Sequence, residues 1–383
     1  MFPFTFYNPV KIIFGPNSIP KITKELPINT NILITYGGGS IKSNGIYDQV
    51  VKALSNHRYI EFGGIEANPD YETLMQAVQI VKEKNIDYIL SVGGGSVLDG
   101  SKFIAAAAKY EGNDAWDILS KGAAVKEAID IACIMTLPAT GSEMNGGAVI
   151  SYRKIKQKRD FGSPLLLPKF SVLDPLHLQS LPTNQKANGV VDTFIHVLEQ
   201  YLTYNNQAEI QDRWAEGILQ TLIKIGPKYV HKPFDVDIAS NMMWAATSAL
   251  NGIIGLGVAQ DWATHMIGHE ITALFGLDHA ETLAIIMPGV MDIMQHDKME
   301  KLESLDTNVF GNRTKPFNVK ATILKTEEFF QNLGIKTRFS DYQIYEKDMA
   351  LILNNLEIKG DIKLGEKKHL TKEKLTEILV SRL

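Results

Sequence analysis

Three histidines within fifteen residues form the densest group of potential metal ligands in this chain. His265, His269 and His279 lie in the stretch DWATHMIGHEITALFGLDHAETLA, whereas the whole sequence of 383 residues contains 9 histidines. His265 and His269 are four residues apart, so they would share one face of a helix. Upstream, the stretch GVVDTFIHVLEQ places Asp192 and His196 at the same spacing on another predicted helix.

These two predicted helices could together hold a divalent metal ion. One carboxylate and several neutral imidazoles suit Zn²⁺ or Fe²⁺. From spacing alone, His265 and His269 would both be ligands, and His279 would follow a helix break at Gly276. The alternative is that Asp192 caps or pairs locally and that the histidines are hydrogen-bonded core residues. The repeated four-residue spacing favours the metal site.

A second group of residues is suited to binding phosphate. Two Gly-Gly-Gly-Ser turns each follow an apolar run, in NILITYGGGS and YILSVGGGSVLDGSKF. Backbone N–H groups at such a turn can approach an anion at the start of a helix. The spacing differs from the usual GxGxxG fingerprint, and a tight structural turn is the alternative. The turns comprise Gly37, Gly38, Gly39 and Ser40 in the first, and Gly93, Gly94, Gly95 and Ser96 in the second.

The elements that position these turns alternate between strands and helices over roughly the first 180 residues. Short β-rich runs such as NILITY alternate with helical patterns such as YETLMQAVQIVKEKN, which predicts a largely parallel α/β sheet. Open sheets of this kind bind ligands at the carboxyl ends of their strands. Both glycine turns lie at such ends, as does the stretch TLPATGSEMN with Thr136, Thr140 and Ser142. A nucleotide lying across several strand ends would meet all three.

The pattern of predicted secondary structure changes at about Leu181. Successive helical patterns follow, among them QKANGVVDTFIHVLEQYLT and AQDWATHMIGHEITALF, with few strand candidates. The simple interpretation is an all-α second domain. We therefore predict an α/β domain over residues 1–180 and a helical domain over residues 181–383, divided at SLPTNQ.

Composition limits the classes of function. The net charge is −4 and no basic stripe is present, so nucleic acid is not an expected partner. The single cysteine, Cys133, can form no internal disulfide, which fits a reducing cytoplasm. No apolar run approaches the roughly 20 residues of a membrane span, and the first residues lack the pattern of a signal peptide. A cytoplasmic location without a membrane contact is expected.

Taken together, these motifs resemble the metal-dependent (iron-containing, group III) alcohol dehydrogenase family. The resemblance is closest to its branch of bacterial butanol dehydrogenases and NADPH-dependent aldehyde reductases. It runs over nearly the whole chain, through ILITYGGGS, VGGGSVLDGSK, TLPATGSE, ANGVVDTFIH, QDWATHMIGHE and GLDHAETLAI. The resemblance implies an N-terminal dinucleotide-binding α/β domain, an all-α C-terminal domain and a metal in the cleft between them. It also implies reversible hydride transfer between a nicotinamide cofactor and an alcohol or aldehyde.

The same resemblance implies roles for individual residues. His269 would face the substrate and the nicotinamide without binding the metal, which corrects the prediction from spacing. The loop Gly93–Ser96 would bind the pyrophosphate, with Asp99 near the cofactor and counted with His269 as catalytic. Lys102 is a weaker candidate that could equally be a solvated helix residue. The remaining roles fall on the metal ligands Asp192, His196, His265 and His279, and on the cofactor contacts Thr136, Thr140 and, less securely, Lys158.

NADP(H) is expected to be preferred over NAD(H). A carboxylate at the end of an adenosine-side strand would bind the ribose 2′-OH and repel a 2′-phosphate. The strand NILITY instead ends in Gly37–Ser40, without Asp or Glu, and Lys42 supplies positive charge nearby. The alternative is that the turn is merely tight and both cofactors fit. A short-chain aldehyde of the butanal type is the expected substrate, and a homodimer the expected assembly.

Two other functions are compatible with parts of the pattern. A lyase similar to dehydroquinate synthase would share the broad fold, but it would need a cluster of Lys and Arg for a phosphorylated substrate. The motifs DWATHMIGHE and ANGVVDTF contain no such cluster. A non-catalytic protein could use the metal only to hold its helices together. The glycine turns argue against that alternative, because such a protein needs no cofactor cradle.

Overall fold

The computed structural model describes residues 1–383, which fold into two compact units. One unit consists of Tyr7–Pro182 and Phe234–Thr247, and the other of Met1–Phe6, Thr183–Pro233 and Ser248–Leu383. The first unit is of the α/β type and the second is helical. The sequence-based division after residue 180 remains a prediction. The first six residues pack with the helical unit, and residues 234–247 pack with the α/β unit.

The α/β unit is built on a six-stranded sheet in the order β1-β8-β5-β4-β2-β3. All neighbouring strands of this sheet are parallel, as the alternating sequence pattern predicts. Strands β2, β4 and β5 lie side by side, so their carboxyl ends meet at one edge. The strands are β1 (Lys11–Phe14), β2 (Asn31–Tyr36), β3 (Arg58–Phe62), β4 (Tyr88–Gly94), β5 (Asp130–Leu137) and β8 (Phe170–Leu173).

Helices of 4 to 15 residues lie between these strands, and an antiparallel hairpin follows β5. The hairpin joins β6 (Gly147–Tyr152) and β7 (Gln157–Gly162), with Lys156 in a left-handed turn conformation. No strand was predicted from sequence there, because QKRDFG is too polar to resemble a buried strand. The helices of this part of the chain are α1 (Ser40–Ser43), α2 (Ile46–Ala53), α3 (Tyr71–Glu83), α4 (Gly95–Lys109) and α5 (Asp117–Ser120).

The helical unit confirms the all-α prediction. Its core includes apolar side chains of the helices that carry the histidines, such as Ile267, Ile271, Ile285 and Ile286. No helix in the structure combines the length and the apolar character that crossing a membrane requires. The helices of this unit are α6 (Thr183–Tyr201), α7 (Glu209–His231), α9 (Ala263–Phe275), α10 (His279–Ile293), α11 (Gln295–Ser304), α12 (Val319–Asn332), α13 (Glu346–Lys359) and α14 (Lys372–Ser381). Helix α8 (Val236–Ala249) belongs to the α/β unit as far as Thr247.

The only cysteine lies in the middle of the sheet. Cys133 on β5 is fully buried, and its Sγ lies 3.1 Å from Ser171 Oγ on the neighbouring strand β8. Burial raises the pKa of this thiol to about 12. Cys133 is therefore a protonated core residue.

Candidate functional site

Helix α6 brings Asp192 and His196 to one buried face. Every residue of this helix from Val190 to Tyr201 is buried, so both polar side chains are held inside the helical unit. Their four-residue separation puts them one turn apart on the same face. Nε2 of His196 lies 3.6 Å from Oδ1 of Asp192.

Helices α9 and α10 bring the other three histidines to the same place. Helix α9 begins after Trp262, which has a left-handed backbone, and ends at the left-handed C-cap Gly276. The predicted helix break at Gly276 is thus confirmed. Helix α10 begins at His279, where Asp278 and Glu281 form a capping box. The short connection between the helices returns His279 towards the face that carries His265.

Three histidine side chains converge on one carboxylate oxygen, Oδ1 of Asp192. Nε2 of His196, of His265 and of His279 lies 3.6, 4.0 and 3.9 Å, respectively, from Asp192 Oδ1. These separations are too long for hydrogen bonds. The His196 and His265 rings are stacked, with centroids 4.7 Å apart. Three imidazole nitrogens and one carboxylate oxygen, all atoms that can bind a metal, therefore lie close together inside the helical unit.

The geometry of this group fits a metal ion. Ligand atoms about 2.1 Å from a tetrahedral ion lie roughly 3.4 Å from one another, close to the observed separations. Asp192 Oδ1 is buried and accepts no hydrogen bond from the protein, which is costly unless a cation satisfies it. Asp192, His265 and His279 have ligand atoms within 4.8 Å of one another. We infer that the group can bind one divalent cation.

Glu199 holds one side chain of this group, His265, in position. Its carboxylate accepts a hydrogen bond from Nδ1 of His265, which leaves Nε2 directed towards Asp192. Glu199 also accepts one from the backbone N of Thr264, at 2.6 Å. Burial, with a further contribution from Asp261, raises the pKa of the Glu199 carboxyl above its ordinary value. A carboxylate behind a ligating histidine fixes the tautomer and orientation of the ring.

His269 lies beside this group, one turn beyond His265 on α9. It is buried, and its ring centroid is 5.3 Å from that of His279 and 6.5 Å from that of His265. The sequence predicted two roles for His269, as a ligand from spacing and as a substrate-facing residue from the resemblance. Its edge position relative to the ligand rings is compatible with the second role, which stays a prediction.

In the α/β unit, the three predicted cofactor-binding segments lie at one edge of the sheet. Gly37–Ser40 follows β2, Gly95 and Ser96 begin α4 directly after β4, and Thr136 lies near the end of β5. Helix α4 has 15 residues, and its N-cap Gly94 offers no side chain to the first turn. The N–H groups of that turn are therefore suited to a phosphate.

The two glycine turns differ in why they need glycine. A Cβ at Gly38 or Gly39 would meet no atom within 4 Å, and Gly39 has a left-handed φ of +97°. A Cβ at Gly93 would instead lie 2.5 Å from Val97 Cγ2, and one at Gly95 would lie 2.4 Å from Thr140 Oγ1. The first turn thus leaves open space beside the backbone. The second turn needs glycine for internal packing, because a Cβ at Gly95 would clash with Thr140. Thr140 therefore lies directly against the start of α4.

Lys158 on β7 is linked to the start of α4 through Asn68. Nζ of Lys158 donates to Asn68 Oδ1 at 2.8 Å, and the backbone N of Asn68 donates to Ser96 Oγ at 3.3 Å. Lys158 is buried despite its charge. The structure thus brings this lysine to the predicted pyrophosphate loop, although the sequence alone made it the least secure member of the set. Asn68 was not singled out from sequence.

Asp99 and Lys102 lie under the loop that follows β5. Asp99 accepts hydrogen bonds from Ser142 Oγ at 2.7 Å and from the backbone N of Val149 at 2.9 Å. Lys102 donates to the carbonyl oxygens of Ser142 and Gly147, both at 2.8 Å. The alternative that Lys102 is a solvated helix residue is wrong, because it is fully buried. Burial lowers its pKa to about 8.

A carboxylate that the sequence analysis missed lies beside the first glycine turn. Glu61 on β3 forms an ion pair with Lys42, with Nζ 2.8 Å from Oε2, and accepts hydrogen bonds from the hydroxyls of Tyr36 and Tyr47. Lys42 Nζ also lies 4.9 Å from the ring centroid of Tyr36. The carboxylate comes from the neighbouring strand, so inspection of the residues that end β2 could not reveal it.

Comparison with known proteins supports a single family over both units. Residues 9–175 match the family described as iron-containing alcohol dehydrogenase, and residues 186–383 match the C-terminal part of the Fe-containing alcohol dehydrogenase family. The chain is 49% identical over 372 residues to the NADPH-dependent aldehyde reductase YqhD of Escherichia coli, with 96% of each chain covered. It is 39% identical to the probable NADH-dependent butanol dehydrogenase 1 of Bacillus subtilis, with 99% of each covered.

Solved structures agree with these matches. The crystal structure of E. coli YqhD has a TM-score of 0.98 and 47% identity, and the comparison covers 100% of this chain and 99% of that one. The NADH-dependent butanol dehydrogenase A of Thermotoga maritima has a TM-score of 0.95 and 35% identity, over 100% and 99% of the two chains. The arrangement of a parallel sheet and a helical unit is therefore the one found in these relatives.

Proposed function

This chain belongs to the iron-containing alcohol dehydrogenase family, and from that premise we propose that it is an NADP(H)-linked reductase of short-chain aldehydes. Membership makes it an NAD(P)-dependent alcohol dehydrogenase that uses a divalent metal and a nicotinamide cofactor. The finer assignment adds NADPH as the preferred cofactor and butanal-type aldehydes as substrates. The observation that carries the proposal is the convergence of three imidazoles on Asp192 Oδ1.

The proposed cation ligands are Asp192, His196, His265 and His279. A cation bound by these residues would supply Lewis-acid polarisation of a carbonyl group, and a nicotinamide cofactor would supply the hydride. Glu199 keeps His265 in the tautomer whose Nε2 faces Asp192, because it accepts from Nδ1. Both Zn²⁺ and Fe²⁺ are compatible with this donor set.

His269 is the proposed proton relay. Reduction of an aldehyde adds a hydride to the carbonyl carbon and a proton to the oxygen. His269 is buried beside His279, so a proton carried on its ring can be delivered within the site. The role differs from that of its neighbours on α9 and α10, which hold the cation.

The proposed cofactor site uses the edge of the sheet in the α/β unit. The first turn of α4 binds the pyrophosphate through its N–H groups, assisted by Ser96, Asn68 and Lys158. Thr136 and Thr140 are proposed contacts to the phosphate and ribose. Both carboxylate oxygens of Asp99 accept hydrogen bonds from the protein, one from Ser142 and one from Val149. We therefore propose that Asp99 positions the loop after β5 and is not itself a catalytic residue.

Two observations support NADPH as the preferred cofactor. Gly38 and Gly39 leave space at the end of β2, where a 2′-phosphate would lie. The relative with 49% identity is named as NADPH-dependent. Against this, relatives with 38–39% identity are named as NADH-dependent, and Lys42 is paired with Glu61. The preference therefore rests on space and backbone donors more than on the charge of Lys42.

The cofactor assignment is tested with Gly39→Asp and its uncharged control, Gly39→Asn. Both residues tolerate a left-handed backbone better than other side chains, so the two variants share the same strain. We expect Gly39→Asp to shift kcat/KM from NADPH towards NADH, because the carboxylate repels a 2′-phosphate and binds a 2′-OH. Equal shifts in both variants, or a wild-type kcat/KM that is as high with NADH, would contradict the proposal.

The metal assignment is tested by comparing Asp192→Ala with His269→Ala. Asp192→Ala should lose both the bound metal and the aldehyde reductase activity, because it removes the oxygen on which the three imidazoles converge. His269→Ala should retain one metal per chain and turn over more slowly, by about 10²–10⁴-fold if it transfers the proton. Metal analysis and NADPH oxidation with C2 to C6 aldehydes, in one sample, distinguish the two. Loss of the metal in His269→Ala would instead indicate that His269 is a metal ligand.

A homodimer and a cytoplasmic location complete the proposal. The outer edge of β1 is not paired in the sheet, and the aromatic side chains of Phe2, Phe4, Phe6 and Tyr7 are largely exposed. An unpaired edge and an apolar segment are features that a second copy can cover. Light scattering measures the mass of the assembly, and cell fractionation measures the location.

A further inference from the structure

A buried lysine that has no part in the proposed function contacts the ends of two helices that carry the proposed metal ligands. Lys298 on α11 is 2% exposed. Its Nζ donates to the carbonyl oxygen of Leu202 at 2.6 Å, and lies 2.6 Å from Asp261 Oδ2 and 3.1 Å from Glu366 Oε2. The ammonium group therefore has three acceptors for its three N–H groups.

These acceptors come from three separate parts of the chain. Leu202 directly follows α6, which carries Asp192 and His196. Asp261 immediately precedes Trp262, the N-cap of α9, and Glu366 lies between α13 and α14. One ammonium group thus joins the end of one ligand-bearing helix to the beginning of another.

Asp261 transmits this contact to the first turn of α9. Its Oδ1 accepts a hydrogen bond from the backbone N of Ala263 at 3.0 Å, and its backbone N donates to the carbonyl oxygen of Glu199 at 2.9 Å. Glu199 in turn accepts from Thr264 N and from Nδ1 of His265. The path from Lys298 to His265 therefore consists of direct contacts.

The charges of this cluster are fully desolvated. The side chains of Asp261 and Glu366 are 4% and 1% exposed, respectively. Burial disfavours the charged lysine, yet the two carboxylates raise the pKa of Lys298 above its ordinary value. A buried ion cluster contributes little more stability than apolar side chains of the same volume, although it can specify one arrangement of the segments that it joins.

We propose that Lys298 is a positioning residue for the metal site, acting through Asp261 and stabilised by Glu366. It fixes the first turn of α9 against the end of α6 and so fixes His265 relative to Asp192 and His196. This inference rests on the proposed function, since it assumes that those residues hold the cation.

The test compares Lys298→Met with Lys301→Met. Lys301 lies three residues further along α11, is 5% exposed and pairs with Asp212 of α7, so it is a buried lysine of the same helix without a link to α9. Zn²⁺ affinity is measured by chelator competition on the full chain. Lys298→Met should lower it by about 10–100-fold, as loss of an outer partner of a ligand does. Lys301 also lies over the ring of Tyr201 at the end of α6, with Nζ 5.1 Å from the ring centroid, so this control keeps a contact with α6 and lacks only the contact with α9. Lys301→Met should therefore change the Zn²⁺ affinity by less than about threefold.

A second readout does not depend on metal. In metal-free protein, amide hydrogen exchange of residues 263–266 should be faster in Lys298→Met and unchanged in Lys301→Met. Because Lys298→Met leaves two buried carboxylates unpaired and could fail to fold, Asp261→Asn and the double variant Lys298→Met/Asp261→Asn complete a cycle. Both substitutions break the same contact, so the double variant should lose no more Zn²⁺ affinity than the more affected single one.

Three results would overturn the inference. They are an unchanged Zn²⁺ affinity in Lys298→Met and Asp261→Asn, an equal loss in Lys301→Met, or additive losses in the double variant. Failure of the proposed function is distinguishable from these, because the wild-type chain would then bind no Zn²⁺ at the Asp192 group.

Discussion

At the scale of single residues, long-range partners determine what a sequence motif can do. The Asp192–His196 and His265–His269 spacings, with the resemblance to a family, were enough to propose four ligands. Spacing alone favoured His269, because it cannot distinguish a ligand from a neighbour one turn away. Glu199 and Glu61 were missed altogether, since each reaches its partner, His265 or Lys42, across a distance in sequence that no local pattern records.

The pairing of Glu61 with Lys42 leads to a prediction about cofactor affinity. Glu61→Gln removes a negative charge next to the proposed 2′-phosphate position, where Lys42 then acts unopposed. We expect the KM for NADPH to fall by about two- to fivefold, the size of an exposed charge effect, with the KM for NADH unchanged. Glu25→Gln is the matched control, because Glu25 forms a comparable exposed pair with Lys11 elsewhere in the same unit. An unchanged KM for NADPH would refute this.

At the scale of elements, the C-terminal helix α14 is attached to the helical unit by a buried ion pair. Nη2 of Arg382 lies 2.6 Å from Glu327 Oε1 on α12, and its Nε donates to the carbonyl oxygen of Ile285 on α10 at 2.8 Å. The last 80 residues carry few recognisable motifs, so this attachment could not be predicted. The antiparallel hairpin β6–β7 was missed for a related reason, because its polar strands lack an apolar run.

This ion pair predicts a pH-dependent stability. Burial alone would raise the pKa of Glu327, but the Thr337 hydroxyl and Arg382 hold it below its ordinary value of 4.5. The stabilisation is therefore complete above pH 4.5 and is lost as the pH falls through the lower pKa of the folded state. Glu327→Gln should lower the free energy of unfolding by about 3 kcal/mol at neutral pH, since it leaves Arg382 buried without its partner.

Urea unfolding from pH 7 to pH 3 measures this effect. The difference between wild type and Glu327→Gln should narrow as the pH falls below the ordinary carboxyl range. Glu328→Gln is the control, because Glu328 is the exposed neighbour on α12 and should change the free energy by less than about 0.5 kcal/mol. A difference that is constant with pH would exclude ionisation of Glu327 as the cause.

At the scale of the whole molecule, periodicity predicted the two kinds of architecture well. Alternating strand and helix patterns gave the parallel sheet, and uninterrupted helical patterns gave the all-α unit. The residues that leave one unit to pack with the other, 1–6 and 234–247, were not foreseen. Their placement depends on tertiary packing, which leaves no periodic trace in a short segment.

Metal binding should be visible in the stability of the whole chain. A ligand that binds only the folded state at about 100 times its Kd adds about 2.7 kcal/mol. For units of this size that corresponds to a rise in melting temperature of roughly 5–10 °C. We therefore expect a chelator to lower the Tm of the metal-loaded wild type by this amount and to leave Asp192→Ala unaffected. A chelator effect of equal size in both proteins would contradict the assignment of the site.

The burial of Cys133 has a consequence for a catalyst whose substrates are electrophiles. Free aldehydes form adducts with accessible thiolates, and such adducts inactivate many proteins. The only sulfhydryl of this chain is enclosed in the sheet and stays protonated, with a pKa of about 12, so it offers no nucleophile. We expect native protein incubated with an α,β-unsaturated aldehyde to show no Cys133 adduct by mass spectrometry, and urea-unfolded protein to be labelled readily. The thiol therefore gives an aldehyde no route to inactivate the folded chain.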